Sequence, residues 1–105
     1  MIDLRPQDLQ IIIDQARAAF SQGTQIWAYG SRIKGTSHDG SDLDLVIRAA
    51  QEKTLDLERL DNFKAALQNS NIPILVQALS WQHMPQGFQA GILKQHEVLM
   101  VVGEA

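Results

Sequence analysis

The run Asp42-Leu43-Asp44-Leu45-Val46-Ile47 alternates carboxylate and leucine before turning wholly apolar, a period of two that an extended strand satisfies and a helix does not. Successive side chains of a strand point to opposite faces, so Asp42 and Asp44 share one side while Leu43 and Leu45 pack behind them. Two carboxylates therefore compete for one small space. At about 4 Å and an effective dielectric near 20 their repulsion is on the order of 4 kcal/mol. A divalent cation reverses the sign of that interaction. Mg²⁺ in particular takes oxygen ligands and keeps positions for water and substrate phosphates, which suits one or two carboxylates better than an all-protein cage does.

Upstream, Ile26-Trp27-Ala28-Tyr29 reads as a short buried strand that runs straight into Gly30-Ser31, and residues 32–34 suit one turn of helix after it. Glycine admits close backbone approach and a serine hydroxyl can donate to a phosphate oxygen, so Gly30-Ser31 is a candidate triphosphate seat. Residues 36–41 cluster turn formers ahead of the strand expected over 42–48. Leu9, Ile12, Ile13, Ala16 and Phe20 recur at helical spacing from Pro6 to about residue 21, where Gly23 ends the pattern. Leu57, Leu60, Phe63 and Leu67 mark a second amphipathic helix after Thr54. Pro73 precedes a strand over 74–79, a further helix is expected over 86–95, and residues 98–102 read as a closing strand. The expected order is α-β-β-α-β-α-β, an α+β fold in which a small mixed sheet packs with helices. No repeat or linker interrupts it, so residues 1–105 are read as a single domain.

Charge and composition narrow the function. The net charge of −3 disfavours extended nucleic acid as a partner, because such binding rests mainly on phosphate neutralisation. The absence of cysteine removes disulfides and thiolate zinc sites, and His38, His83 and His96 are not spaced to share a helix face. The sequence holds no apolar run long enough to span a membrane and no basic start followed by a long apolar core, so a cytoplasmic protein without a membrane partner is expected.

Taken together, Gly30, Ser31, Arg32, Gly35, Ser41, Asp42 and Asp44 resemble the Gly-Ser-(ten residues)-Asp-x-Asp signature of polymerase β-type nucleotidyltransferases. The details Tyr29-Gly30-Ser31-Arg32 and Ser41-Asp42-Leu43-Asp44-Leu45 are similar to the minimal nucleotidyltransferases encoded beside HEPN proteins, often as the antitoxin of a pair. The segments 74–81 and 88–100 also resemble that group, so the likeness covers nearly the whole chain. It implies a polymerase β-type nucleotidyltransferase fold and transfer of AMP from MgATP to an acceptor, in some members a tyrosine of the HEPN partner. It further implies that Gly30 and Ser31 hold the triphosphate, that Arg32 steadies phosphate or loop, and that Asp42 and Asp44 bind Mg²⁺ as the catalytic pair. One departure stands out. Where the family carries a third carboxylate, in a Val-Asp-Leu-x-Asp-Trp context, this chain reads Val76-Gln77-Ala78-Leu79-Ser80-Trp81. Gln77 offers an amide oxygen but no charge, and it cannot accept a proton from an attacking hydroxyl.

Blander readings compete with these. Asp42 and Asp44 could be the acidic face of a soluble strand edge, and Gly30-Ser31 an ordinary turn; it is their joint order and spacing that speaks against both. A Ser31, His38, Asp39 triad is set aside, since a histidine within a turn cluster has nothing to fix its geometry. Trp27, Tyr29, Phe63 and Trp81 are read as packing residues, and Gln77 serves equally as structural hydrogen-bonder or metal ligand. Two functions remain. One is an Mg²⁺-dependent enzyme that adenylylates a HEPN-type partner using ATP; the other is a nucleotide-binding antitoxin that neutralises its partner by complex formation, in a homo- or hetero-oligomeric assembly.

Overall fold

The computed structural model describes residues 2–35, 40–51 and 53–103. The residues 36–39 that include His38 and Asp39 of the triad set aside above lie outside them. The helix α1, Pro6–Ala19, opens with proline at its first turn and buries Ile12 and Ala16 on one side. It ends two residues earlier than the periodicity predicts. Phe20 is already extended, which turns its ring into the core against Phe63 at a centroid distance of 5.1 Å.

The strand β1, Gln25–Tyr29, follows and leads through Gly30 into the single turn of α2, Ser31–Lys34. The strand β2, Leu43–Arg48, begins one residue later than expected, because Leu43 is the first residue to join the ladder. Its amide donates to the Leu75 carbonyl at 2.9 Å. Asp42 stays just ahead of the strand. The helix α3, Leu57–Gln68, is capped by the Asp56 carboxylate, which accepts from the amides of Glu58 and Arg59. This cap puts Leu57 at the first helical position, half exposed, while Leu60, Phe63 and Leu67 turn inward. The strand β3, Val76–Ser80, runs into a 3-10 turn at Trp81–His83 that the sequence pattern did not announce. The helix α4, Gln86–Lys94, and the strand β4, Glu97–Val101, complete the order.

The strands form a mixed four-stranded sheet in the order β3-β2-β1-β4. β1 pairs antiparallel with β2 and β4, and β2 pairs in parallel with β3 across the α3 crossover. Leu43, Leu45 and Ile47 of β2 join Ile26 and Ala28 of β1 in the main core with α1 and α3. The opposite face carries a smaller cluster of Trp27, Val46 and Ile92, with Tyr29, Trp81 and Met84 packed against it. That second face is the one on which Asp44 emerges, because Asp44 and Val46 alternate with the core leucines. Among the described residues no helix is long and apolar enough to cross a membrane.

Candidate active site at the Gly30-Ser31 turn

Antiparallel pairing sets Tyr29, the last residue of β1, directly opposite Asp44. The chain then turns at Gly30 with φ +85° and ψ −157°, a backbone region that side-chain-bearing residues scarcely enter. A Cβ built on Gly30 would stand 2.5 Å from Asp44 Oδ2. Glycine is therefore required twice at this position, once by the backbone angle and once by the carboxylate that lies against it. The turn and the Asp-x-Asp strand, twelve residues apart in the chain, meet in one place.

Asp42 is exposed and Asp44 half-buried. Burial pushes the Asp44 carboxyl above its ordinary value, and the negative charge of Asp42 adds to the shift. The two acids thus feel each other, as the strand alternation predicts. Burial likewise raises the Tyr29 phenol, and the Asp44 charge raises it further. Burial is the larger cause of both shifts, and the smaller part, the repulsion from Asp42 and Asp44, is one that a cation would relieve.

The parallel register sets Gln77 of β3 level with Asp44. Its amide nitrogen donates to Asp42 Oδ2 at 3.1 Å. The position where the resemblance implies a third carboxylate thus touches the pair at Asp42, and here it supplies a neutral donor. No group of three or more His, Cys, Asp or Glu side chains that could hold a metal occurs among the described residues. The donor set that fits a hard cation is the two carboxylates, with the Gln77 amide oxygen within reach only if the side chain gives up its bond to Asp42.

Ser31 opens α2 beside these groups, and its carbonyl accepts from the amide of Gly35, which closes the turn in a left-handed conformation. Arg32 points elsewhere. Its guanidinium is buried, with Nε donating to the Ser41 carbonyl at 3.1 Å and Nη1 to the Asp3 carbonyl at 2.8 Å, and the Asp3 carboxylate lies 3.7 Å away. Of the two roles the resemblance implies for Arg32, these bonds serve the loop: they tie the residue preceding Asp42 to the N-terminal segment. Lys34 is exposed at the end of the same turn.

The other histidines are structural. His83 shares a 2.7 Å hydrogen bond with Ser80, and His96 stacks on Trp27 at 4.1 Å while bonding the Ile92 carbonyl. Trp27 and Phe63 are buried, as packing residues should be. Tyr29, read from the sequence as a packing residue, is also a neighbour of Asp44. Its place immediately before the glycine, at the end of a strand that must pair near Asp44, was the signal.

This geometry defines a class: a small α+β domain that sets a glycine-serine turn against two carboxylates, one on a strand and one just ahead of it. The match to known proteins is specific. Residues 10–103 fit the family model described as "Polymerase beta, Nucleotidyltransferase", and the chain belongs to that family. Among its relatives is the Haemophilus influenzae protein named "Probable protein adenylyltransferase MntA". It is 33% identical over 98 residues, which span 93% of this chain and 83% of that protein. A solved structure described as a toxin-antitoxin with AMP-PNP has the same fold, with a TM-score of 0.65 at 22% identity over 90% of this chain and 74% of its own.

Proposed function

We propose that residues 1–105 are a single minimal nucleotidyltransferase domain that uses Mg²⁺ and ATP to adenylylate a HEPN-type partner protein, and so acts as its antitoxin. The observation that carries this reading is the contact between Gly30 and Asp44, which joins the candidate phosphate seat to the candidate metal ligands. Similarity to a protein named as an adenylyltransferase, and to a toxin-antitoxin structure described with a nucleotide analogue, supports the choice of reaction and partner class.

In this scheme the Gly30-Ser31 turn receives the triphosphate and Ser31 donates its hydroxyl to a phosphate oxygen. Asp42 and Asp44 would hold the cation, which when bound would offset the phosphate charge and the charge developing on the leaving group. The acceptor oxygen bonds to the α-phosphorus in line with the bond that breaks, and pyrophosphate departs. The chain's task is positioning. Asp44 is fixed by its strand and by Gly30, Asp42 is held by Gln77, and the Arg32 bond to Ser41 holds the backbone that presents them. Gln77 cannot take the proton of the acceptor hydroxyl, so that proton passes to water or to a group of the partner.

The same Gln77 favours a second reading, in which the site binds nucleotide with little turnover and the partner is neutralised by complex formation. Incubation with labelled ATP, Mg²⁺ and a HEPN-type partner protein, followed by intact-mass measurement, separates the two. Gain of one AMP on the partner, lost in Asp42→Asn and Asp44→Asn, is the expected result. A partner that is inhibited yet unmodified would replace the first reading with the second.

A further inference from the structure

Asp8 is a buried carboxylate that the nucleotidyltransferase reading does not use. It lies in the first turn of α1 with its side chain 4% exposed, although an acid serves a helix N-terminus equally well from the surface. A carboxylate removed from water needs partners for its oxygens. Arg5 supplies them as a fork, with Nη2 donating to Oδ1 at 2.9 Å and Nε to Oδ2 at 2.8 Å. The fork fixes the residue that precedes the helix, and with it the direction in which residues 2–4 leave α1.

Those residues run to the candidate site. Ile2 and Leu4 pack against the main core, and Asp3 between them meets Arg32 through a reciprocal pair of bonds. The Asp3 amide donates to the Arg32 carbonyl at 2.9 Å, and Arg32 Nη1 donates to the Asp3 carbonyl at 2.8 Å. Nε of the same guanidinium donates to the Ser41 carbonyl at 3.1 Å. Arg5, Asp8 and Arg32 line a cavity of about 200 Å³ with Pro73 and Ile74, so on that side directional bonds rather than packing hold the segment.

Asp42 needs such support. Asp44 is held within β2, whereas Asp42 is exposed and precedes the ladder that begins at Leu43. Its backbone is set by its two neighbours, Leu43 through the Leu75 carbonyl and Ser41 through Arg32. We propose that Asp8 and Arg5 are positioning residues for Asp42, acting through the N-terminal segment and Arg32 on the backbone at Ser41. The inference rests on the reading of Asp42 as a metal ligand and extends the cation site to a pair at the start of α1. Groups that orient a ligand without touching the metal typically change metal affinity by about 10- to 100-fold when removed. Asp8 acts further back, so its effect is expected at or below the lower end of that range.

The test uses the full chain and Mn²⁺ alone, with affinity read by calorimetry below the melting transition and amide exchange at Leu43 read by NMR. Asp8→Asn removes the fork and should weaken Mn²⁺ by roughly three- to tenfold while Leu43 exchanges severalfold faster. Arg5→Lys keeps the charge but not the fork, and should shift both readouts the same way to a smaller extent. Ile12→Val is the control, because it loosens the buried face of α1 without touching the segment; it should melt lower and bind Mn²⁺ as the wild type does. Unchanged Mn²⁺ affinity in Asp8→Asn overturns the inference whatever its melting temperature, since the pair then stabilises α1 alone. Equal weakening in Ile12→Val overturns it too, because affinity would follow overall stability. If Asp8→Asn does not fold, Arg5→Lys decides on the same two readouts. A wild type that binds no Mn²⁺ at millimolar concentration removes Asp42 as a metal ligand, and this inference with it.

Discussion

Replacing Gly30 by alanine tests the contact on which the site is built. The backbone angles of +85° and −157° lie in a region nearly confined to glycine, and holding a side-chain-bearing residue there costs about 1–3 kcal/mol. For a chain of this size each kcal/mol lowers the melting temperature by about 4–8 °C, so Gly30→Ala should melt roughly 4–24 °C below the wild type. A second effect is local. The new methyl would stand 2.5 Å from Asp44 Oδ2, closer than real Cβ contacts approach, so the carboxylate must withdraw by at least half an ångström. A displacement of that order at a positioned group costs on the order of 10- to 100-fold in transfer rate. Gly35→Ala is the matched control, because Gly35 also has a positive φ, of +77°, while none of the described residues comes within 4 Å of its added Cβ. It should lose about 1–2 kcal/mol of stability from the backbone alone and keep its nucleotide affinity. Thermal unfolding by circular dichroism and calorimetry with MgATP provide both readouts. If Gly30→Ala loses stability yet binds and transfers as the wild type does, or if Gly35→Ala loses nucleotide equally, the contact with Asp44 is not what matters.

Three further outcomes follow from the same geometry. Because burial and Asp42 raise the Asp44 carboxyl above its ordinary 3.8, ionised Asp44 removes stability as pH climbs from that value through its folded one. In metal-free buffer Asp44→Asn should therefore match the wild type at pH below about 3.8 and melt higher than it near neutrality, with Mg²⁺ reversing the ranking; the opposite pH trend would contradict the assigned cause. Gln77→Asp should lower metal-free stability and tighten Mg²⁺ or Mn²⁺ binding by roughly tenfold, about 1.4 kcal/mol, because position 77 is level with Asp44 and touches Asp42. Unchanged cation affinity by calorimetry would remove position 77 from the site. Arg32→Ala should cost about 2–4 kcal/mol in denaturant unfolding, from two charge-assisted bonds to carbonyls, and Arg32→Lys should recover little because one ammonium does not span both. Intact stability with lost ATP affinity would instead assign Arg32 to phosphate.

Local order was legible in the chain wherever a side chain's role depends on its neighbours in sequence. The alternation at residues 42–47 decided which residues of β2 face the core, and the spacing of Ile12, Ala16, Leu60, Phe63 and Leu67 decided which helix faces are buried. Boundaries moved by a residue or two where long-range contacts intervened: Phe20 left α1 to meet Phe63, and Asp42 fell outside the ladder that starts at Leu43. The pairing of Gly30-Ser31 with Asp42 and Asp44 was readable as a spacing. That Gly30 lies against Asp44 was not.

What only the tertiary structure decided depends on pairing between strands remote in the chain. Parallel register brings Gln77 level with Asp44, and antiparallel register brings Tyr29 opposite it, neither of which any local pattern encodes. Burial turned Arg32 from a candidate phosphate ligand toward the carbonyls of Ser41 and Asp3, since a guanidinium removed from water must bond to what surrounds it. A cavity lined by Gly87 and Gly91 likewise exists only once α4 lies across the sheet, where missing side chains become space. The carboxylate pair and the glycine-serine turn were thus determined by the sequence itself, whereas their contact, the neutral partner beside them and the room next to them arose from how the strands and α4 come together.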